Sequence, residues 1–232
     1  MPRYGYYYYD PYYILLIIGF VISMIASARV KSTFNKDSTV VSRTGMTGAE
    51  AARRLLHAEG IYDVSIQRVS GSLTDHYDPK SKVLRLSDST YGSTSVAAIG
   101  VAAHECGHAI QHEENYIPLS LRSAMVPVAN FGSRFSMVLI LAGLFFGQFL
   151  IELGILMFCA VVAFQVVTLP VEFNASRRAL RLLEDNGILY REEVGMTRKV
   201  LGAAAMTYVA SAMVAAMQLA RLILLYGGRR RD

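Results

Sequence analysis

The segment Val101–His112, VAAHECGHAIQH, holds three histidines and an acid at spacings that suit metal chemistry. His104 and His108 are four residues apart, with Glu105 beside the first. On a helix, such positions lie about 40° apart around the axis and one turn apart in height. Two imidazoles so placed can grip one zinc ion. Glu105 falls at the edge of the same face, where a carboxylate can take a proton from a metal-activated water. The opposite face holds Ile99, Ala103, Cys106 and Ile110. The helix is therefore expected to be half core and half site, with Cys106 as a packing residue. The plainer alternative is two surface histidines on an amphipathic helix. The small apolar residues ahead of the motif argue against it.

Zinc needs at least a third protein ligand. His112 is close in sequence but poorly placed. Eight residues of helix rise about 12 Å, and no glycine follows His108 to break the helix first. Glu113 and Glu114 share that difficulty. Asp75 and Asp78 fall in a strand region. Glu172 is the better candidate, because two membrane helices ahead of it would return it to the side where His104 and His108 sit. The competing explanation for Glu172 is an ordinary glutamate in a first helical turn, favoured by the helix dipole.

The elements that must position these groups can be read around them. Tyr12–Ala28 carries no charge, and Arg29 and Lys31 close it. A cleaved signal would place its positive charge first. This run reads instead as a retained membrane helix with Tyr4–Tyr13 as an interfacial aromatic belt. Next comes a helix over TGAEAARRLLHAEGI, opened by a Thr47/Glu50 capping box. The stretch from Asp63 to Gly92 alternates and contains Gly-Ser and Asp-Pro turn signals, predicting two or three short antiparallel strands. Ser93 or Thr94 is the expected cap of the metal helix, which ends near Asn115.

From Phe135 to Val171 the ionisable side chains are Glu152 and Cys159 alone. That is too long for one span. It predicts a helical hairpin starting near Val126, broken between Gly147 and Gly154 and leaving the membrane at Pro170. A helix opening at Glu172 then stops at Asn186-Gly187. A last helix covers about Glu192 to Tyr226, and the arginines that follow it argue against its crossing.

The 232 residues are 53% hydrophobic, with the apolar residues in blocks, and the net charge is +5. No lysine- and arginine-rich helix suggests nucleic acid. The charge fits membrane orientation and anionic lipid. Two cysteines make no disulfide framework and fit a reducing compartment. Arg29, Lys31, Lys36 and Arg43 follow the first span. Arg177, Arg178, Arg181, Arg191, Arg198 and Lys199 lie between the hairpin and the last helix. The positive-inside rule puts both segments in the cytoplasm and the N-terminus outside.

SLTDHYDPKSKVLRLS, AAHECGHAIQH and LPVEFNASRRAL, in that order, resemble the YugP family of membrane zinc metallopeptidases. The tyrosine-rich start and AAAMTYVASA fit as well, so the resemblance covers nearly the whole chain. More distantly the plan is similar to HtpX-type integral membrane peptidases, which also place two membrane helices between HExxH and a glutamate ligand. The resemblance implies His104 and His108 as zinc ligands, Glu105 as catalytic base, Glu172 as third ligand, and a bacterial cell membrane. There is one departure. The HtpX-type helix has aspartate four residues after the ligand glutamate, where this chain has Ser176. A carboxylate behind a histidine ligand is thus missing, with Asn174 as the alternative partner.

The expected architecture is a mainly α membrane protein with three or four transmembrane helices and a small α+β zincin-like (gluzincin-type) catalytic region. It divides into a tail and membrane helix (1–31), a cytoplasmic catalytic region (32–125), a transmembrane hairpin (126–171), and the third-ligand and C-terminal helices (172–232). KVLRLS, 82–87, is the candidate strand edge for aligning a protein or peptide substrate. His76, Tyr77 and Tyr208 are candidate oxyanion donors. Two functions compete: a zinc endopeptidase, and a non-catalytic membrane scaffold or regulatory partner with structural zinc. The fourth zinc position discriminates them, since a structural site fills it with a side chain.

Overall fold

A computed structural model describes residues 10–226. Arg3, the tyrosines before Asp10 and the terminal Gly-Gly-Arg-Arg-Arg-Asp lie outside the described residues. In chain order come α1 (Tyr13–Asp37), α2 (Gly48–Ala58), β1 (Ser65–Val69), β2 (His76–Asp78), β3 (Val83–Ser87), α3 (Asp88–Tyr91), α4 (Val96–Glu113), α5 (Ile117–Phe146), α6 (Gln148–Asp185) and α7 (Arg191–Tyr226). The chain is mainly helical. Helices α1, α5, α6 and α7 are each long and apolar enough to cross a membrane. The C-terminal helix therefore qualifies on the same terms as the other three.

The described residues form two compact units. One takes 10–24, 126–165 and 210–226. Within it α5 and α6 form the expected hairpin, and the turn is a single residue, Gly147, at φ +122°, a conformation open to glycine. Gly154 is not part of the turn. It lies inside α6, where an added Cβ would stand 2.7 Å from the Ser136 carbonyl of α5. Small residues of this kind let apolar helices approach closely. Arg221 of α7 is paired with Asp10 just ahead of α1.

The other unit takes 25–125 and 166–209. Its core joins Leu55 and Leu56 of α2, Leu84 and Leu86 of β3, Ile99 and Cys106 of α4, and Leu183 of α6. The Thr47/Glu50 capping box is present: the Thr47 N–H donates to the Glu50 carboxylate at 2.8 Å and the Glu50 N–H to the Thr47 hydroxyl at 3.2 Å. The α4 cap is Ser95, whose hydroxyl accepts from the Ala98 N–H at 3.2 Å. Ser93 instead donates its hydroxyl to Ser95, and the Thr94 carbonyl is taken by Ser42.

Two expectations are corrected. The sheet has order β1-β3-β2, with β2 antiparallel and β1 parallel to β3. Asp78-Pro79 does turn a hairpin, but the segment after β1 crosses to the far side of β3 before β2 begins. And α6 runs unbroken through Pro170. A proline costs one backbone bond. In a span-length helix the remaining bonds are all internal, so the helix continues. Glu172 therefore sits mid-helix, and the first-turn explanation for it falls away.

Candidate metal centre

Helix α4 presents His104 and His108 one turn apart, their rings 4.8 Å between centroids and nearly perpendicular. Helix α6 crosses the same face. Gly107, between the two histidines, permits this: a Cβ there would lie 2.7 Å from the Ala175 carbonyl of α6. The approach brings Glu172 Oε2 to 3.3 Å from His104 Nε2 and 3.6 Å from His108 Nε2. One donor atom from each of the three lies within 4.8 Å of the others, so the group could hold a metal ion. All three belong to the second unit.

Glu172 is 2% exposed, and its Oε2 is buried without a hydrogen bond. An orphaned carboxylate oxygen in a protein interior is costly. Here it faces two imidazole nitrogens, and the N, N, O donor set is one zinc accepts. The other carboxylate oxygen, Oε1, faces Arg122 of α5 at 3.5 Å. Burial alone would depress the His108 imidazole, but the Glu172 carboxylate facing it and the charge of Glu105 outweigh that and hold it above its ordinary value.

Each histidine is backed on its other nitrogen. Ser176 Oγ lies 3.1 Å from His104 Nδ1. Gln111 Oε1 lies 3.0 Å from His108 Nδ1. Ser176 thus occupies the place where the resemblance anticipated an aspartate. Asn174 is the Nδ1 partner of neither histidine; it accepts from Gln111 at 2.9 Å and from Arg178 at 2.8 Å. Gln111 and Arg122 were not singled out from the sequence. Gln111 had a usable signal, being three residues beyond His108 on the same helix. Arg122 had none, since its approach depends on how α5 packs.

A cavity of about 200 Å³ opens on the group. Its walls include Leu73, Val101, Glu105, Leu201 and Tyr208, and Glu172 lines it too. Glu105 is 8% exposed. Of the three oxyanion candidates, Tyr208 alone lines this cavity. Tyr77 is bonded to His112, oxygen to Nδ1 at 3.0 Å, which also accounts for the third histidine outside the group. His76 is exposed at the start of β2, with Nδ1 at 2.9 Å from the Thr74 carbonyl. Asp75 accepts from the Ser87 N–H and hydroxyl at 2.7 and 2.9 Å. Glu114 pairs with Arg178, and Glu113 approaches Lys82 at 3.8 Å. Cys106 is fully buried against Ala52, and burial pushes its thiol up, as a packing residue requires.

The strand-edge expectation needs correction. KVLRLS contains β3, which is paired on both sides and offers no free edge. Among the described strands, the free edge on the side of α4 is β2.

The sequence matches the family described as "Putative neutral zinc metallopeptidase" over residues 12–227. It is similar to "Putative membrane protease YugP" of Bacillus subtilis (strain 168), 47% identical over 213 residues that cover 91% of this chain and 95% of that protein. No solved structure matches the chain.

Proposed function

The chain belongs to this zinc metallopeptidase family, and from that membership we propose that it is a membrane-embedded endopeptidase holding zinc between His104, His108 and Glu172. The observation that carries the proposal is the buried, unbonded Glu172 oxygen facing two imidazole Nε2 atoms. Zinc bound there supplies a Lewis acid that polarises a peptide carbonyl and acidifies a water. Glu105 takes the water's proton and returns it to the leaving amine. The Tyr208 hydroxyl, in the same cavity, donates to the developing oxyanion. An extended substrate pairs with the free edge of β2.

Lysines and arginines beside the spans support a cytoplasmic site, the Bacillus subtilis relative supports a bacterial cell membrane, and the proposed substrates are membrane-associated or misfolded proteins. The competing reading, a scaffold with structural zinc, needs a fourth protein ligand. The group among the described residues offers three, and Cys106 is turned into the core.

The test is zinc content together with casein cleavage by the wild type and by Glu105→Gln. We expect equal zinc in both and hydrolysis in the wild type alone. Equal cleavage by the two proteins would remove Glu105 from the mechanism and the peptidase assignment with it.

A further inference from the structure

The bonds behind His108 have a fixed polarity. Arg178 Nε is always a donor. The Asn174 atom 2.8 Å from it is therefore the amide oxygen. That oxygen also lies 2.9 Å from a terminal atom of Gln111, which must then be Nε2. The Val171 carbonyl, an acceptor only, lies 2.9 Å from the same Gln111 nitrogen and requires the same orientation. The other terminal atom of Gln111 is thus Oε1, and it faces His108 Nδ1 at 3.0 Å. An acceptor at that distance calls for a proton on Nδ1. Nε2, which faces Glu172, is then the nitrogen left to bind a metal.

We propose that Gln111 is a positioning residue that selects the metal-binding tautomer of His108, and that Arg178 holds Gln111 in this orientation through Asn174. The proposal rests on the zinc reading above. It distinguishes the two histidines. Behind His104 stands a hydroxyl, which can donate or accept and so imposes no tautomer. Behind His108 stands an amide with only one permitted orientation. Gln111 is completely buried, so no water substitutes for it. Arg178 is partly exposed and anchored by Glu114, at the end of α4, through paired bonds of 2.8 and 2.6 Å. The relay therefore ties the end of the metal helix to the tautomer of its second histidine.

The experiment measures zinc affinity of the full-length protein in detergent by competition with a chromogenic chelator. Gln111→Leu removes the acceptor and should weaken zinc binding about 10- to 100-fold. Gln111→Glu restores an acceptor for Nδ1–H but cannot donate to Val171 or Asn174, and should bind zinc within a few-fold of wild type, roughly matching other carboxylate-backed histidines. Arg178→Met should weaken binding about 10-fold in the wild-type background and have no such effect in Gln111→Glu, where the acceptor no longer depends on amide orientation.

Gln111→Leu binding zinc as the wild type does would overturn the proposal. Gln111→Glu binding as weakly as Gln111→Leu would also overturn it, in favour of Gln111 as a brace for the α4–α6 seam. If Gln111→Leu does not fold, the Arg178→Met comparison in the two backgrounds decides, and equal losses in both would refute the relay. A wild type that takes up no zinc would instead sink the metal reading on which the proposal rests.

Discussion

Ser176 sets its hydroxyl 3.1 Å from His104 Nδ1 and stands four residues beyond Glu172 on the same helix. One face of α6 thus supplies both a group aimed between the two imidazoles and a brace behind one of them. Ser176→Ala should lower zinc affinity about 10-fold, and Ser176→Asp should restore it, because a carboxylate behind a histidine raises its basicity. Chelator competition reads both. An unchanged affinity in Ser176→Ala would mean the hydroxyl does not orient the ring.

Glu172→Ala should abolish stoichiometric zinc while leaving the protein inserted in the membrane. It removes one of the three proposed ligands, while the span-length helices remain intact. Metal analysis after purification decides; full occupancy would send the search for a ligand back to the strand region.

His112→Ala should keep stoichiometric zinc, since its ring belongs to Tyr77 and not to the group. Loss of metal to the level of His108→Ala would contradict the helix-rise argument.

Gly107→Ala and Gly202→Ala should shift stability in opposite directions. Alanine favours a helix over glycine by about 1 kcal/mol. At Gly202 an added Cβ meets nothing, so that gain stands. At Gly107 it meets the Ala175 backbone, which cannot rotate away, and overpacking costs about 1–3 kcal/mol. Thermal unfolding in detergent should rank Gly202→Ala above wild type and Gly107→Ala below it. The reverse order would mean α4 and α6 are not in backbone contact.

Cysteines placed at Gln148 and Asn186 should label from opposite sides of the membrane, because they mark the two ends of α6 just outside or at its bounds. Labelling from one side only would rule out a membrane crossing by this helix.

The sequence announced what local spacing controls. The Thr47/Glu50 box and the His104–His108 pair are each written within one turn of helix, and both are where their residues implied. Glu172 was expected near the histidines from chain order, since a hairpin of apolar helices returns the chain, and it does lie beside both imidazoles. Contacts between distant elements were not legible. Proline is a local signal to stop, so a helix was expected to end at Pro170. Whether it does end depends on the setting of the whole helix. The Gly71-Ser72 turn signal announced a reversal after β1 but not which edge of β3 the chain would reach. Arg122 approaches Glu172 across fifty residues of sequence that carry no pattern linking them.

The unbroken course of α6 has a mechanical consequence. Glu172 is fixed on the same rod whose apolar stretch is of membrane-crossing length. Sliding that rod by one residue displaces the carboxylate about 1.5 Å along its axis, whereas a metal bond tolerates about 0.2 Å. A bound ion therefore acts as a bolt, locking α6 in register against α4. Anything that binds only the folded arrangement stabilises it, so metal loading should raise the resistance of the long helix to displacement as well as complete the site.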